Sequence, residues 1–162
     1  MKLFVAQYLL FLALLFVLFY APTSVASIWL NEGQTKITLF FLDIFLKPEQ
    51  LKGIDIWINP HYKIIINQAC NGVIPILFLF ASILAYPSTI LHKIIWMGLG
   101  YVLFSVVNVA RILLVVYVTQ AGEGQEEFYW SHDIVGNSVL MLTGLGLFVG
   151  FIKTSSKRIK DF

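Results

Sequence analysis

Four nearly uninterrupted apolar runs constrain this chain more than anything else in it: Leu3 to Ala21, Cys70 to Tyr86, Ile94 to Val118 and Ile134 to Ile152. A transmembrane helix needs about 20 mostly apolar residues to cross roughly 30 Å of hydrocarbon. Three of the runs reach that length or nearly so, and the second is short, ended by Pro87. The composition agrees. Of the 162 residues, 59% are hydrophobic and only 12% charged, against about 45–50% and about 25% in a soluble domain. High apolar content with low net charge excludes a disordered chain. A net charge of +2 with no basic face excludes a nucleic-acid binder. A single cysteine cannot form an intramolecular disulfide, and the Cys and His spacings fit no zinc motif. The chain therefore reads as one all-α polytopic membrane domain of about four transmembrane helices, with no cofactor or metal expected.

The first run has a rival reading. Lys2, the apolar stretch and Ser24-Val25-Ala26 resemble a signal peptide with a small-residue cleavage site. The run is longer than a signal-peptide core, so residues 1–22 are read as a retained first span. Lys and Arg near span ends set the orientation. Lys2, Lys93 and the tail Lys153, Lys157, Arg158 and Lys160 fall on one side. The loop before the fourth span has no Lys or Arg and carries Glu123, Glu126, Glu127 and Asp133. Residues 23–69 hold four lysines and four acids and vote weakly. Both termini are therefore expected in the cytoplasm, with 23–69 and the acidic loop outside an inner (cytoplasmic) membrane.

The outer segment divides in two. Ile37 to Leu46 is apolar with one acid, Asp43, and stops at Lys47-Pro48, which suits a short helix lying at the membrane surface. From Gly53 to Asn67, Ile54, Ile56 and Ile58 alternate with Asp55, Trp57 and Asn59, Asn59-Pro60 marks a turn, and Tyr62 to Ile66 is β-rich. That pattern predicts a β-hairpin. Residues 70–152 form a three-span core and 153–162 a basic cytoplasmic tail.

Three residues stand out against this background. Arg111 lies within the third span, where a charge costs about 2.5–3.5 kcal/mol at the helix centre. Ser105, Asn108 and Arg111 recur every three residues and so share one helix face, which must point inward. The plain alternative is an arginine that snorkels or caps a neighbouring carbonyl. Cys70, in Gln68-Ala69-Cys70-Asn71-Gly72, precedes the helical sequence that starts at Val73. A helix N-terminus favours a thiolate, although a lone cysteine is often a small buried hydrophobe. His132, in Trp130-Ser131-His132-Asp133, opens the fourth span, and Gly136 one turn later leaves room for a neighbour. Most loop histidines are merely solvated, but an imidazole titrates where a general acid or base is useful. The topology was drawn without these three. It still puts a thiol, a guanidinium and an imidazole near the outer leaflet on three helices: nucleophile, oxyanion stabiliser and base for acyl transfer.

Ala69-Cys70-Asn71-Gly72, Asn108-Val109-Ala110-Arg111 and His132 followed by Gly136-Asn137 together resemble the exosortase/archaeosortase family of membrane cysteine transpeptidases, in a short form similar to the exosortase H type. The resemblance spans Ile65 to Phe148. It implies that Cys70 attacks the scissile carbonyl and forms a thioester, that Arg111 steadies the oxyanion or thiolate, and that His132 is base and then acid. Asn71 and Asn108 would support them, Asn108 by orienting Arg111. It also implies the partners: exported proteins ending in a recognition motif, a transmembrane helix and a basic tail, and an amine or lipid acceptor. Gly144, Gly146 and Gly150 offer a small-residue face for that substrate helix, or for packing within the protein itself. The hairpin offers an edge to the extended motif.

Two other readings compete. In a non-catalytic membrane scaffold or assembly subunit, Arg111 is a structural pair-former and Cys70 is inert. In a small channel, Arg111 lines an anion path, but no other pore-facing charge accompanies it. His61 with His132 makes a poor metal site without further ligands.

Overall fold

The computed structural model describes residues 2–122 and 129–160. Glu123, Glu126 and Glu127 of the acidic loop lie outside the described residues, as do the side chains of Asp133, Lys157, Arg158 and Lys160. Five α-helices carry the fold: α1 (Lys2–Phe19), α2 (Val25–Phe45), α3 (Val73–Ala85), α4 (Ile90–Ala121) and α5 (Asn137–Lys160). Between α2 and α3 lie three short strands, β1 (Leu51–Lys52), β2 (Asp55–Asn59) and β3 (Tyr62–Ile65), then a 3₁₀ turn, Gln68–Asn71. A π-helical segment, Tyr129–Gly136, leads into α5.

Local sequence explains most of the boundaries. Pro22, Pro48 and Pro87 each follow a helix end, where a ring in the interior would cost a hydrogen bond and a clash. Ser24 caps α2 by accepting from the Ser27 amide. Pro75 is tolerated because it sits in the first turn of α3, whose amides have no intrahelical partner.

Helices α1 and α3 pack antiparallel, with Leu15 of α1 against Val73, Leu77 and Ala81 and the Phe16 and Phe78 rings 5.8 Å apart. Helices α3, α4 and α5 close a second core around Ile76, Leu79, Ile83, Phe104, Leu140, Leu147 and Phe151. Glycines let large side chains in: a Cβ on Gly100 would lie 2.7 Å from Leu79 Cδ2, and one on Gly150 would lie 2.9 Å from Trp96 Cη2. A third core lies at one end, which we call the cap end. There Leu42 of α2, Ile56 and Ile64 of the sheet, and Ile112, Val115 and Val116 of α4 pack together with Cys70. At the opposite end His92 meets Thr154 Oγ1 at 3.2 Å and Ser155 donates to Ser88.

Three helices are long and apolar enough to cross a membrane: α1, α4 and Tyr129–Ser155. The fourth, α3, has only 13 residues, about 20 Å at 1.5 Å per residue. The expected all-α membrane architecture is present, with differences of detail. The surface helix expected from Ile37 is twelve residues longer at its start, because Val25 to Lys36 holds no breaker strong enough to stop it, and it packs along α4. Its inward stripe is polar: Ser27, Gln34 and Thr38 are buried there. The hairpin forms, with Ile56 opposite Ile64, and β1 adds a third strand. Helix α4 has 32 residues, about 48 Å, against a hydrocarbon core of roughly 30 Å. Its last turns are covered by the cap instead of lipid, which relieves Arg111 of the depth expected from the apolar run alone.

Candidate active site

The sequence of the Cys70 turn dictates its shape. Asn67 accepts from the Cys70 amide through both its carbonyl (2.9 Å) and its Oδ1 (3.3 Å). Gly72 then takes φ +67°, a left-handed conformation that ordinary side chains avoid, and α3 begins at Val73. Two asparagines hold the turn from either side. Asn71 donates to Thr35 Oγ1 of α2 at 2.8 Å. Asn108 of α4 donates to the Cys70 carbonyl at 2.8 Å. A Cβ on Gly72 would come within 3.0 Å of Asn108 Oδ1, so α4 approaches this turn closely only because residue 72 is glycine.

Arg111 is 4% exposed, and its guanidinium is shared out among three elements. It donates to Asn108 Oδ1 (3.3 Å) on its own helix, to the His132 carbonyl (3.3 Å) and to Asn137 Oδ1 (3.2 Å). The π-helical segment makes this possible, since its wider turn brings both carbonyl and ring of His132 over Arg111. Gly136 supplies the space: a Cβ there would stand 2.5 Å from Arg111 Nε and 3.0 Å from its Cγ.

One nitrogen ties the site together. His132 Nε2 lies 3.0 Å from Arg111 Nη2 and 3.9 Å from Cys70 Sγ. A guanidinium only donates, so Nε2 is the acceptor in that contact. The thiol is also 3.8 Å from the Ile65 carbonyl, at the end of β3. Burial pushes the Cys70 thiol pKa up. The hydrogen bonds from His132 and the Asn67 main chain and the charges of His132 and Arg111 outweigh it, leaving the pKa below its ordinary value.

The structure therefore brings together Cys70, Arg111 and His132, with Asn71 and Asn108 behind them. Thr35, which polar-periodicity reading overlooked, anchors Asn71. Asn137 had been noted only for its position in the motif. His61 caps its own turn by donating its amide to Asn59 Oδ1. Among the described residues no group of three His, Cys, Asp or Glu could hold a metal. From the site a cavity of about 570 Å³ opens between α3 and α5. Ile74, Phe78, Met141 and Gly144 line it, and Arg111 and Asn137 stand at its cap end. Gly150, by contrast, is taken up by Trp96, and Gly146 has nothing within 4 Å.

The family model described as transmembrane exosortase (Exosortase_EpsH) matches residues 4–150 of this chain. The match begins far ahead of Ile65, so the family likeness includes α1, α2 and the sheet as well as the three-helix core. No curated protein and no solved structure matches the chain.

Proposed function

This chain belongs to the transmembrane exosortase family, and we propose that it is a membrane cysteine transpeptidase that cleaves C-terminal sorting signals of exported proteins and passes the new carboxyl end to an acceptor. The single observation that carries this reading is His132 Nε2, placed within reach of both the Cys70 thiol and the Arg111 guanidinium.

The reaction follows from that placement. Cys70 Sγ attacks the scissile carbonyl while its proton passes to His132 Nε2. The carbonyl oxygen becomes an oxyanion, and an Arg111 N–H turns to it. Nε2 has one lone pair, so Arg111 must leave it before the thiol proton can arrive, and the developing oxyanion is the better acceptor. The tetrahedral species collapses to a thioester, and the leaving amine takes the proton back from His132. An amine acceptor then attacks the thioester, restoring the thiol and forming a new amide; water in its place completes a proteolysis. Burial of the site favours the amine by limiting water. Asn108 ties Arg111 to the Cys70 turn through Oδ1 and Nδ2, fixing nucleophile and cation to one helix.

The cavity between α3 and α5 supports a substrate that arrives sideways through the bilayer, its transmembrane helix against Ile74, Phe78 and Met141. Lys93 and Lys153 lie at the end opposite the site. By the positive-inside rule this supports an active site on the outer face of the cytoplasmic membrane.

Comparing C-terminal peptides of envelope proteins by mass spectrometry in wild-type and Cys70→Ala cells tests the reading. A set of proteins keeping its C-terminal helix only in the mutant is the expected result. Unchanged C-termini with Cys70→Ala protein at normal levels would overturn it in favour of a non-catalytic scaffold.

A further inference from the structure

The sheet has one edge that its own strands leave open. In the order β1-β2-β3, the strand β3 has β2 on one side and no strand on the other among the described residues. The register shows which main-chain groups face that open side. The Ile66 amide donates to the Ile54 carbonyl at 2.9 Å, and Ile64 stands opposite Ile56. Antiparallel ladders alternate every residue, so Ile64 and Ile66 address β2 while Lys63 and Ile65 turn their N–H and C=O groups outward. Unpaired groups of this kind are a template for another strand. What meets the outward Ile65 carbonyl is the Cys70 thiol itself, with Sγ 3.8 Å away.

We infer that the open edge of β3 is the subsite for the polypeptide to be cut, bound as an added β-strand whose main chain pairs with Lys63 and Ile65 and whose next carbonyls run onto Cys70. This rests on the cysteine transpeptidase reading and deepens it. The occupant is an extended peptide rather than a second copy of the chain, because the edge ends at the nucleophile. A strand advances about 3.3 Å per residue, so a segment paired with Ile65 delivers its following peptide bonds to Sγ. The same contact couples binding to ionisation. When the thiol gives up its proton it no longer donates to Ile65, and that carbonyl is released to accept from the incoming strand. Recognition through main-chain hydrogen bonds also leaves the side chains of the bound segment to be read separately.

The test separates main chain from side chain at one position. Lys63→Val removes the ammonium and keeps the N–H. Lys63→Pro removes the N–H as well, a donor that the β2–β3 ladder does not use and whose loss an edge strand tolerates. The readout is the set of envelope proteins that keep their C-terminal helix in Cys70→Ala cells. Alkylation of Cys70 by iodoacetamide checks that the site is formed. Processing in Lys63→Pro cells about tenfold below that in Lys63→Val cells, at equal protein level and alkylation, is the expected result. Equal processing by the two variants, whether high or low, overturns the edge subsite. Loss of processing in Cys70→Ala is required throughout, so a failure of the catalytic reading shows itself separately. Should the proline variant not accumulate, a photo-crosslinking residue at position 63 in the Cys70→Ala background replaces it. Capture of proteins from that same tail-bearing set supports the inference; capture of another copy of this chain, or of none of the set, overturns it.

Discussion

Cys70 shows how much a single side chain owes to its neighbours. Its environment contains one effect that opposes ionisation, burial, and several that favour it, from His132, Asn67 and Arg111. The sum lowers the pKa, so the thiolate appears at lower pH than in an ordinary cysteine. The rate of iodoacetamide labelling is accordingly expected to rise with a midpoint below about 8.5, and Arg111→Gln or His132→Ala is expected to move that midpoint upward. A midpoint that neither change moves would mean that these groups do not act on the thiol. Gly136 is the second telling residue. Its missing Cβ is the space through which Arg111 reaches His132 and Asn137. Gly136→Ala is expected to leave the protein in the membrane but to cut processing about a hundredfold, the scale of losing one oxyanion donor; pulse-labelling of a retained-tail substrate measures it.

Helix α2 matters because of the stripe it turns inward. An apolar face would pack against α4 with less difficulty, yet Ser27, Gln34 and Thr38 lie there fully buried. Gln34 exchanges hydrogen bonds with Ser105 of α4 at 3.3 Å, and Thr35 accepts from Asn71 beside the nucleophile. The stripe links the catalytic turn to a helix that the three-helix core does not contain. Thr35→Val leaves the amide of Asn71, itself 1% exposed, without that acceptor. The expected cost is about 1–3 kcal/mol, read as a lower melting temperature in detergent, whereas Thr35→Ser should restore most of it. If Thr35→Val melts like the wild type, α2 is a cover for the site and not part of its frame.

For the molecule as a whole, the cap and the helix bundle meet at the site. Cys70 belongs to the cap core, while Arg111 and Asn137 stand at the cap end of the cavity between α3 and α5. Polypeptide arriving along the sheet and helix arriving through the bilayer would therefore converge on one thiol. The chain has a single cysteine, so its topology can be read without engineering. A membrane-impermeant maleimide is expected to label Cys70 in intact cells and to lose that labelling in Cys70→Ser. Labelling only after permeabilisation would reverse the orientation.

Sequence alone determined the membrane architecture, because spans are written in length and hydropathy, and local breakers such as Pro22, Pro48 and Pro87 punctuate them. It also determined the three chemical groups of the site, since a buried arginine, a thiol at a helix start and a histidine at another each break a local pattern. The hairpin was visible in its period of two. What tertiary structure alone decided is which atoms meet. No periodicity announces that Thr35 holds Asn71, that Gly136 makes way for Arg111, or that α4 ends under a cap instead of in lipid. Those depend on distances between residues tens of positions apart, where one side chain's space is set by the absence of another's.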